Sequence, residues 1–494
     1  MFEAAELGNK ISKEVYEREA PALREELLRL QGELAEADFP VIIVTAGMRG
    51  AGRGETVNLL LEWMDARGIN THAFHDPSDE ERERPRFWRY WMALPPKKRI
   101  GILFGSWYTD PLYDRVFKRI HAAKFDQELA RIEDFERMLV NEGALVLKFW
   151  LHLSKGREKA RLKSLEEDPL NSWRVTKQDW KLYQLYDRVH DVAEHALRRT
   201  STAEAPWHIV EGFDARYRSL SVARIMARSL KERLCRTEQK AASVPVALPH
   251  PDAVNVINQL DYTLKLDKPE YEKELARYQG RLNRLVRGLH EKHRSIILVF
   301  EGPDAGGKGG AIRRLTAAMD ARDYRVISIS APTEEERAQP YLWRFWRHLP
   351  RLGRVTIYDR SWYGRLLVER LEGFCAPQDW QRAYGEINMF EEQLAEAGIV
   401  VVKFWLAVTP DEQLRRFQAR SELSYKQFKI TEEDWRNREK WGAYEAAACQ
   451  MIERTSTEIA PWTLVEGNDK RWARIKVLKT TCERLERVLR DGKK

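Results

Sequence analysis

An α/β fold repeated in tandem is what the 494-residue sequence predicts, and three observations lead there. An apolar run, Val299-Phe300-Glu301, ends in Gly302-Pro303-Asp304-Ala305-Gly306-Gly307-Lys308-Gly309-Gly310, the strand, phosphate loop and helix start of a P-loop. A second version, Ala46-Gly47-Met48-Arg49-Gly50-Ala51-Gly52-Arg53-Gly54, keeps the glycines but has Arg53 and Arg49 where Lys308 and Asp304 stand. Beyond each loop, strand-like runs alternate with helical periodicity, the pattern of a parallel sheet covered on both faces. The expected architecture is therefore two P-loop kinase-like domains, each a parallel sheet flanked by helices with a helical lid.

One offset relates the copies throughout, 302 − 47 = 255 for the first loop glycine. Pro340/Pro85, Trp343/Trp88, Arg344/Arg89 and Trp346/Trp91 keep it, as do the Lys-Phe-Trp-Leu runs at Lys403 and Lys148. The Thr-Ser-Thr runs at Thr455 and Thr200, and Glu466-Gly467 and Glu211-Gly212, agree without an insertion. A repeat this long is a whole domain, not a solenoid unit. The domains are expected at 1–236 and 264–494, with a Pro- and Ala-containing linker at 237–263.

Within the second copy, helical spacing of Leu275, Leu282, Leu285 and Leu289 predicts a helix over 271–292. Strands are expected at 295–300, 324–329, 354–358 and 399–406, with helices at 310–319 and 380–396. In such sheets ligands bind at the carboxyl ends of the strands, where the loops lie.

Composition narrows the function classes. Hydrophobic residues make up 43% and charged residues 32%, ordinary for a globular protein and too apolar for a disordered one. A net charge of +8 permits a polyanionic partner without choosing one. Four scattered cysteines with no C-x-x-C pair read as reduced thiols, so a cytoplasmic location is expected. Neither a signal-like N-terminus nor a long apolar stretch is present, so no membrane partner is expected.

The second copy carries the chemistry. Backbone N–H groups of the loop and the helix N-terminus hold phosphate oxygens, Lys308 neutralises their charge, and glycines let the backbone wrap the anion. Gly309 stands where common P-loop enzymes place a Ser or Thr on magnesium, which makes Asp304 the obvious substitute ligand. Asp359 ends the apolar run Val355-Thr356-Ile357-Tyr358, the Walker B position near phosphate and metal; the alternative is a helix N-cap.

Arginines crowd this stretch: Arg344, Arg347, Arg351, Arg354, Arg360 and Arg365, with Asp359 as the only acid among them. Their planar forks suit several phosphates, although a solvated basic face would look similar. In the first copy these positions read Arg89, Met92, Pro96, Arg99, Gly105 and Asp110, and Asp359 becomes Phe104. Correlated loss within one chain ties the lost residues into one site. Arg420, Lys426 and Lys429 lie where nucleotide kinases carry a basic lid. The aromatics Trp343, Trp346, Trp362 and Tyr363 are expected in the core, and His190 and His195, five apart, are no metal pair.

These motifs, with Asp359-Arg360-Ser361-Trp362-Tyr363-Gly364-Arg365, Lys403-Phe404-Trp405-Leu406 and Glu466-Gly467-Asn468-Asp469, resemble the polyphosphate kinase 2 family in its double-length class. The resemblance covers nearly the whole chain and implies Mg²⁺-dependent phosphoryl transfer from inorganic polyphosphate to a nucleoside monophosphate, AMP, by the C-terminal domain. It implies that Gly302, Gly306, Gly307, Lys308, Gly309 and Gly310 hold the transferring phosphate while Asp304 and Asp359 hold magnesium. Arg360 and Arg365 would grip the acceptor phosphate, and Lys426 and Lys429 the phosphate chain. Gly364 departs from the family's frequent Asn, and Leu423-Ser424 from its Asp-Pro, which the first copy keeps as Asp168-Pro169. Two other readings stand beside this one: an ATP-dependent nucleotide kinase, and a non-catalytic polyanion binder. No nucleic-acid partner is expected, and a homo-oligomer is left open.

Overall fold

The computed structural model describes residues 1–235, 255–422 and 432–491. Each copy builds a five-stranded, all-parallel sheet. In the first, β1 (Val41–Gly47), β2 (Ile69–Ala73), β3 (Ile100–Phe104), β4 (Leu145–His152) and β5 (Trp207–Glu211) lie in the order β2-β3-β1-β4-β5. In the second, β6 (Ser295–Glu301), β7 (Tyr324–Ser328), β8 (Val355–Asp359), β9 (Ile399–Ala407) and β10 (Trp462–Glu466) repeat that order as β7-β8-β6-β9-β10.

The loop-bearing strand is central, which is why it is apolar throughout; all seven residues of β6 are buried. The helix Lys268–Glu291, capped by the Asp267 side chain on the Glu270 N–H (2.8 Å), lays Tyr278, Leu282, Val286 and Leu289 into the same core as Ile296 and Leu298. The helix expected from residue 310 starts earlier, as Lys308–Thr316, because Gly307 at φ +112° ends the loop and caps it directly. In the second sheet the edge strand β10 escaped the sequence reading; Trp462–Glu466 is short and only partly buried.

By contacts the chain divides into two compact units that trade one segment each. The first unit lacks Ser78–Trp88 and includes Pro332–Trp343, and the second is the converse. Thus Lys97 N–H bonds Ala338 O (2.8 Å) inside the first unit, and Arg351 pairs with Glu83 (2.5 Å) inside the second. Among the described residues no helix is long and apolar enough to cross a membrane.

Candidate phosphate-transfer site

Sheet register places the strand ends of the second unit side by side. Phe300 of β6 pairs with Asp359 of β8, and Glu301 with Trp405 of β9, so the loop Gly302–Gly307 emerges between two neighbours. Gly302, at φ +136°, passes so near β9 that a Cβ there would meet Leu406 O at 2.5 Å. Only glycine fits such an approach. Ala305 and Arg360 hold left-handed φ of +60° and +65° without that freedom, a strain on the order of 1 kcal/mol each.

Lys308 folds over its own loop, donating to Gly302 O (2.6 Å) and Pro303 O (3.2 Å). Burial lowers its pKa and Arg360 adds to this, while Asp304, Asp359 and Glu301 act the other way. Arg360 Nη2 donates to Asp304 Oδ1 at 2.5 Å, so Asp304, Lys308, Asp359 and Arg360 form one electrostatic cluster at the loop. Asp359 is not a helix cap; the cap of the following turn is Ser361, which accepts from the Tyr363 N–H. Two carboxylates presented with a phosphate loop suit Mg²⁺, which takes one or two acidic oxygens and completes its shell with phosphate and water. Among the described residues no group of three or more histidines, cysteines or acids could hold a metal ion.

The arginines divide by what they touch. Arg344 Nη2 donates to Ser330 O (3.0 Å), and its counterpart Arg89 makes the same bond to His75 O (2.9 Å). Arg354 donates to Arg322 O (2.6 Å) as Arg99 does to Arg67 O (2.5 Å). The two arginines present in both copies therefore share framework bonds. Of those lost from the first copy, Arg360 joins the cluster, Arg365 pairs with Glu369 (2.8 Å) and Arg351 with Glu83. Arg347 is partly buried. Lys426 and Lys429 lie outside the described residues.

Several site residues carry no motif. Glu301, fully buried at the end of β6, accepts from the Ser361 hydroxyl (2.8 Å); burial raises its pKa. Its first-copy counterpart is Ala46, a signal visible in the repeat. Arg416 is buried and donates to Ala305 O (2.9 Å), Gly306 O (3.2 Å), Gly467 O (2.5 Å) and Asn468 O (3.0 Å), so it clamps the loop from behind. Asn437 Nδ2 donates to Asp304 Oδ2 (3.0 Å). Lys403, by contrast, lies buried against Glu391 (2.7 Å), Tyr363 OH (2.8 Å) and Thr455 O (2.7 Å), and Lys148 repeats this with Glu136, Tyr108 and Thr200. That shared motif is framework. Trp346, Trp362 and Tyr363 are core residues as expected. His195 bonds Asp126 (2.6 Å) and His190 stacks edge-on against Phe2.

The first copy's loop has other chemistry. In constant register Ala51 stands at Gly306 and Glu55 at Gly310, so the glycines are not all kept, a correction to the motif reading; Gly50 stands instead at Ala305. Arg53 lies over the Phe104 ring (5.6 Å), and Arg49 pairs with Asp179 (2.9 Å). Glu55 takes Arg161 (3.1 Å), Arg174 (3.2 Å) and Arg218 (2.7 Å).

Residues 10–238 and 265–492 each match the profile of Polyphosphate kinase 2 (PPK2). The chain belongs to the polyphosphate kinase 2 family. It is 55% identical to a polyphosphate:AMP phosphotransferase of Pseudomonas aeruginosa and 52% identical to one of Pseudomonas syringae pv. tomato, in both cases over all of each chain. It is also similar to the crystal structure of a protein described as a polyphosphate kinase 2 from Pseudomonas aeruginosa PA01, with a TM-score of 0.90, 52% identity and complete coverage of both chains.

Proposed function

We propose that the second unit transfers the terminal phosphoryl group of inorganic polyphosphate to AMP, giving ADP and a chain one phosphate shorter. The observation that carries this reading is the cluster of Asp304, Lys308, Asp359 and Arg360 at the phosphate loop, dismantled as a set in the first unit. Full-length relatives with more than half of their residues identical are named for that reaction.

An AMP phosphate oxygen forms the new P–O bond as the bridging P–O bond of the donor breaks, and the leaving chain keeps the bridging oxygen. Such a transfer needs positioning and charge neutralisation more than covalent help. Loop N–H groups and Lys308 would hold the transferring phosphoryl group, and Arg360 would leave Asp304 to meet the acceptor phosphate. Arg365, lost from the first copy, is the second acceptor-side cation. Asp304 and Asp359 would hold Mg²⁺, which when bound supplies neutralisation of the phosphate charge. The basic lid would follow the donor chain, so binding should weaken steeply with salt.

Mixing the protein with AMP, polyphosphate and Mg²⁺ should yield ADP. Absence of ADP, or equal turnover when ATP replaces polyphosphate, would overturn the proposal.

A further inference from the structure

We propose that Asn437 is a positioning residue for this transfer: it holds Asp304 and so couples the helix Glu432–Glu439 to the phosphate loop. The inference rests on the reading of Asp304 as a metal ligand. The helix Glu432–Glu439 begins just after Lys429, and it reaches Asp304 twice. Asn437 Nδ2 donates to Asp304 Oδ2 (3.0 Å), opposite Arg360 on Oδ1 (2.5 Å). Its neighbour Arg438 donates to Gln413 Oε1 (3.2 Å), and Gln413 Nε2 donates to the backbone carbonyl of Asp304 (3.0 Å). One helix thus steadies both the carboxylate and the backbone that carries it.

The chemistry of the donor matters. Arg360 neutralises the carboxylate it touches, so its bond competes with a metal. An amide fixes the carboxylate's rotamer and leaves its charge in place, so Asn437 can keep its hold while the other oxygen turns to a cation.

The first copy supports the assignment. Asn437, Gln413 and Arg438 correspond to Leu182, Glu158 and Tyr183, all changed along with Asp304 to Arg49. Yet a loop-to-helix link survives there, from Asp179 on the helix Lys177–Gln184 to Arg49 (2.9 Å). A loop-to-helix link is kept, as an ion pair in the first copy and an amide–carboxylate bond in the second, and only the second copy's loop presents a carboxylate for use.

Replacement of Asn437 by the first copy's residue is the test. Asn437→Leu should lower kcat about 10- to 100-fold, leave KM for AMP within about twofold, and raise the Mg²⁺ concentration giving half-maximal rate. In the unliganded protein, amide exchange at 304–306 should quicken while β6 and β8 keep wild-type rates. Asn437→Gln, which retains the donor, should recover most of kcat. Should Asn437→Leu not fold, Asn437→Ser, too short to reach Asp304, takes its place. A kcat within about twofold of wild type, an unchanged Mg²⁺ requirement, or unchanged loop exchange overturns the proposal. Asp304→Ala separates the two readings: if it abolishes turnover and Asn437→Leu does not, only the positioning role falls, whereas an active Asp304→Ala removes the metal reading itself.

Discussion

Two loops of nearly the same backbone shape hold opposite chemistry. At Gly47 and Gly302 the φ angles are +146° and +136°, and at Gly52 and Gly307 they are +87° and +112°. Over the second loop, Lys308 sits among Asp304, Asp359 and Glu301. Over the first, Arg53 lies on an aromatic ring, and a glutamate at the loop's helix gathers three arginines. Strain separates the loops as well. Where the second unit holds Ala305 and Arg360 at positive φ, the first has Gly50 (+71°) and Gly105 (+78°), which meet that conformation without penalty. The first unit has glycine at both positions, whereas the second keeps Arg360 in a costly conformation where its guanidinium meets Asp304.

The comparison also separates framework from site. Bonds made identically in both units, such as Lys403 and Lys148 on their buried glutamates or Arg344 and Arg89 on backbone carbonyls, build the fold. The loop clamp is the instructive exception. Arg416 holds the carbonyls of residues 306 and 467 in the second unit; in the first, Arg218 of the last helix holds Gly212 O (3.0 Å) and Ala51 O (3.4 Å). Its counterpart in the second unit is Ala473, and Arg161, at the position of Arg416, turns to Glu55. The task persisted while its residue moved.

Breaking the comparison at its centre should have the largest effect. Lys308→Ala or Asp359→Ala should cut ADP formation on the order of 10³-fold, whereas Arg53→Ala should leave it within about twofold. Loss of activity from Arg53→Ala alone would reassign the active half. The clamps come next. Arg416→Ala strips donors from buried carbonyls and should destabilise the second unit by about 3 kcal/mol in denaturant titration, with Arg218→Ala doing the same to the first. If only one matters, the shared task is wrong.

Glu158 offers a sharper test. It is buried, and burial pushes its carboxyl pKa up to about 7, with Arg49 opposing and Asp179 adding. A raised acid pKa means the folded protein binds a proton that the unfolded chain has released, so this group's contribution to stability falls as pH rises from about 4.5 to about 7. Glu158→Gln, the residue found at Gln413, should remove that slope and stabilise the first unit at pH 8 by up to about 3 kcal/mol. A slope unchanged in the variant would place the titration elsewhere. The smallest effect on stability is expected from Arg360→Gly, the first copy's residue. Relief of φ strain, about 1 kcal/mol, should nearly offset the lost pair with Asp304, leaving Tm within a few degrees while turnover drops.

Much of this was legible without coordinates. The loop, the strand ending in Asp359 and the repeat are local patterns, because a backbone that wraps an anion demands glycines and a buried strand demands apolar residues at fixed spacing. Even the membership of the site was partly written there, since a chain carrying a dismantled copy marks the positions lost together. What only the tertiary structure decided are the pairings between distant elements: Asn437 on Asp304 across 133 residues, Arg416 on the loop carbonyls across about 110, and the transfer of that clamp to Arg218. A polar side chain on a helix has no periodicity that names its partner, and the carbonyls it satisfies are invisible in sequence until the packed sheet brings them within hydrogen-bonding distance.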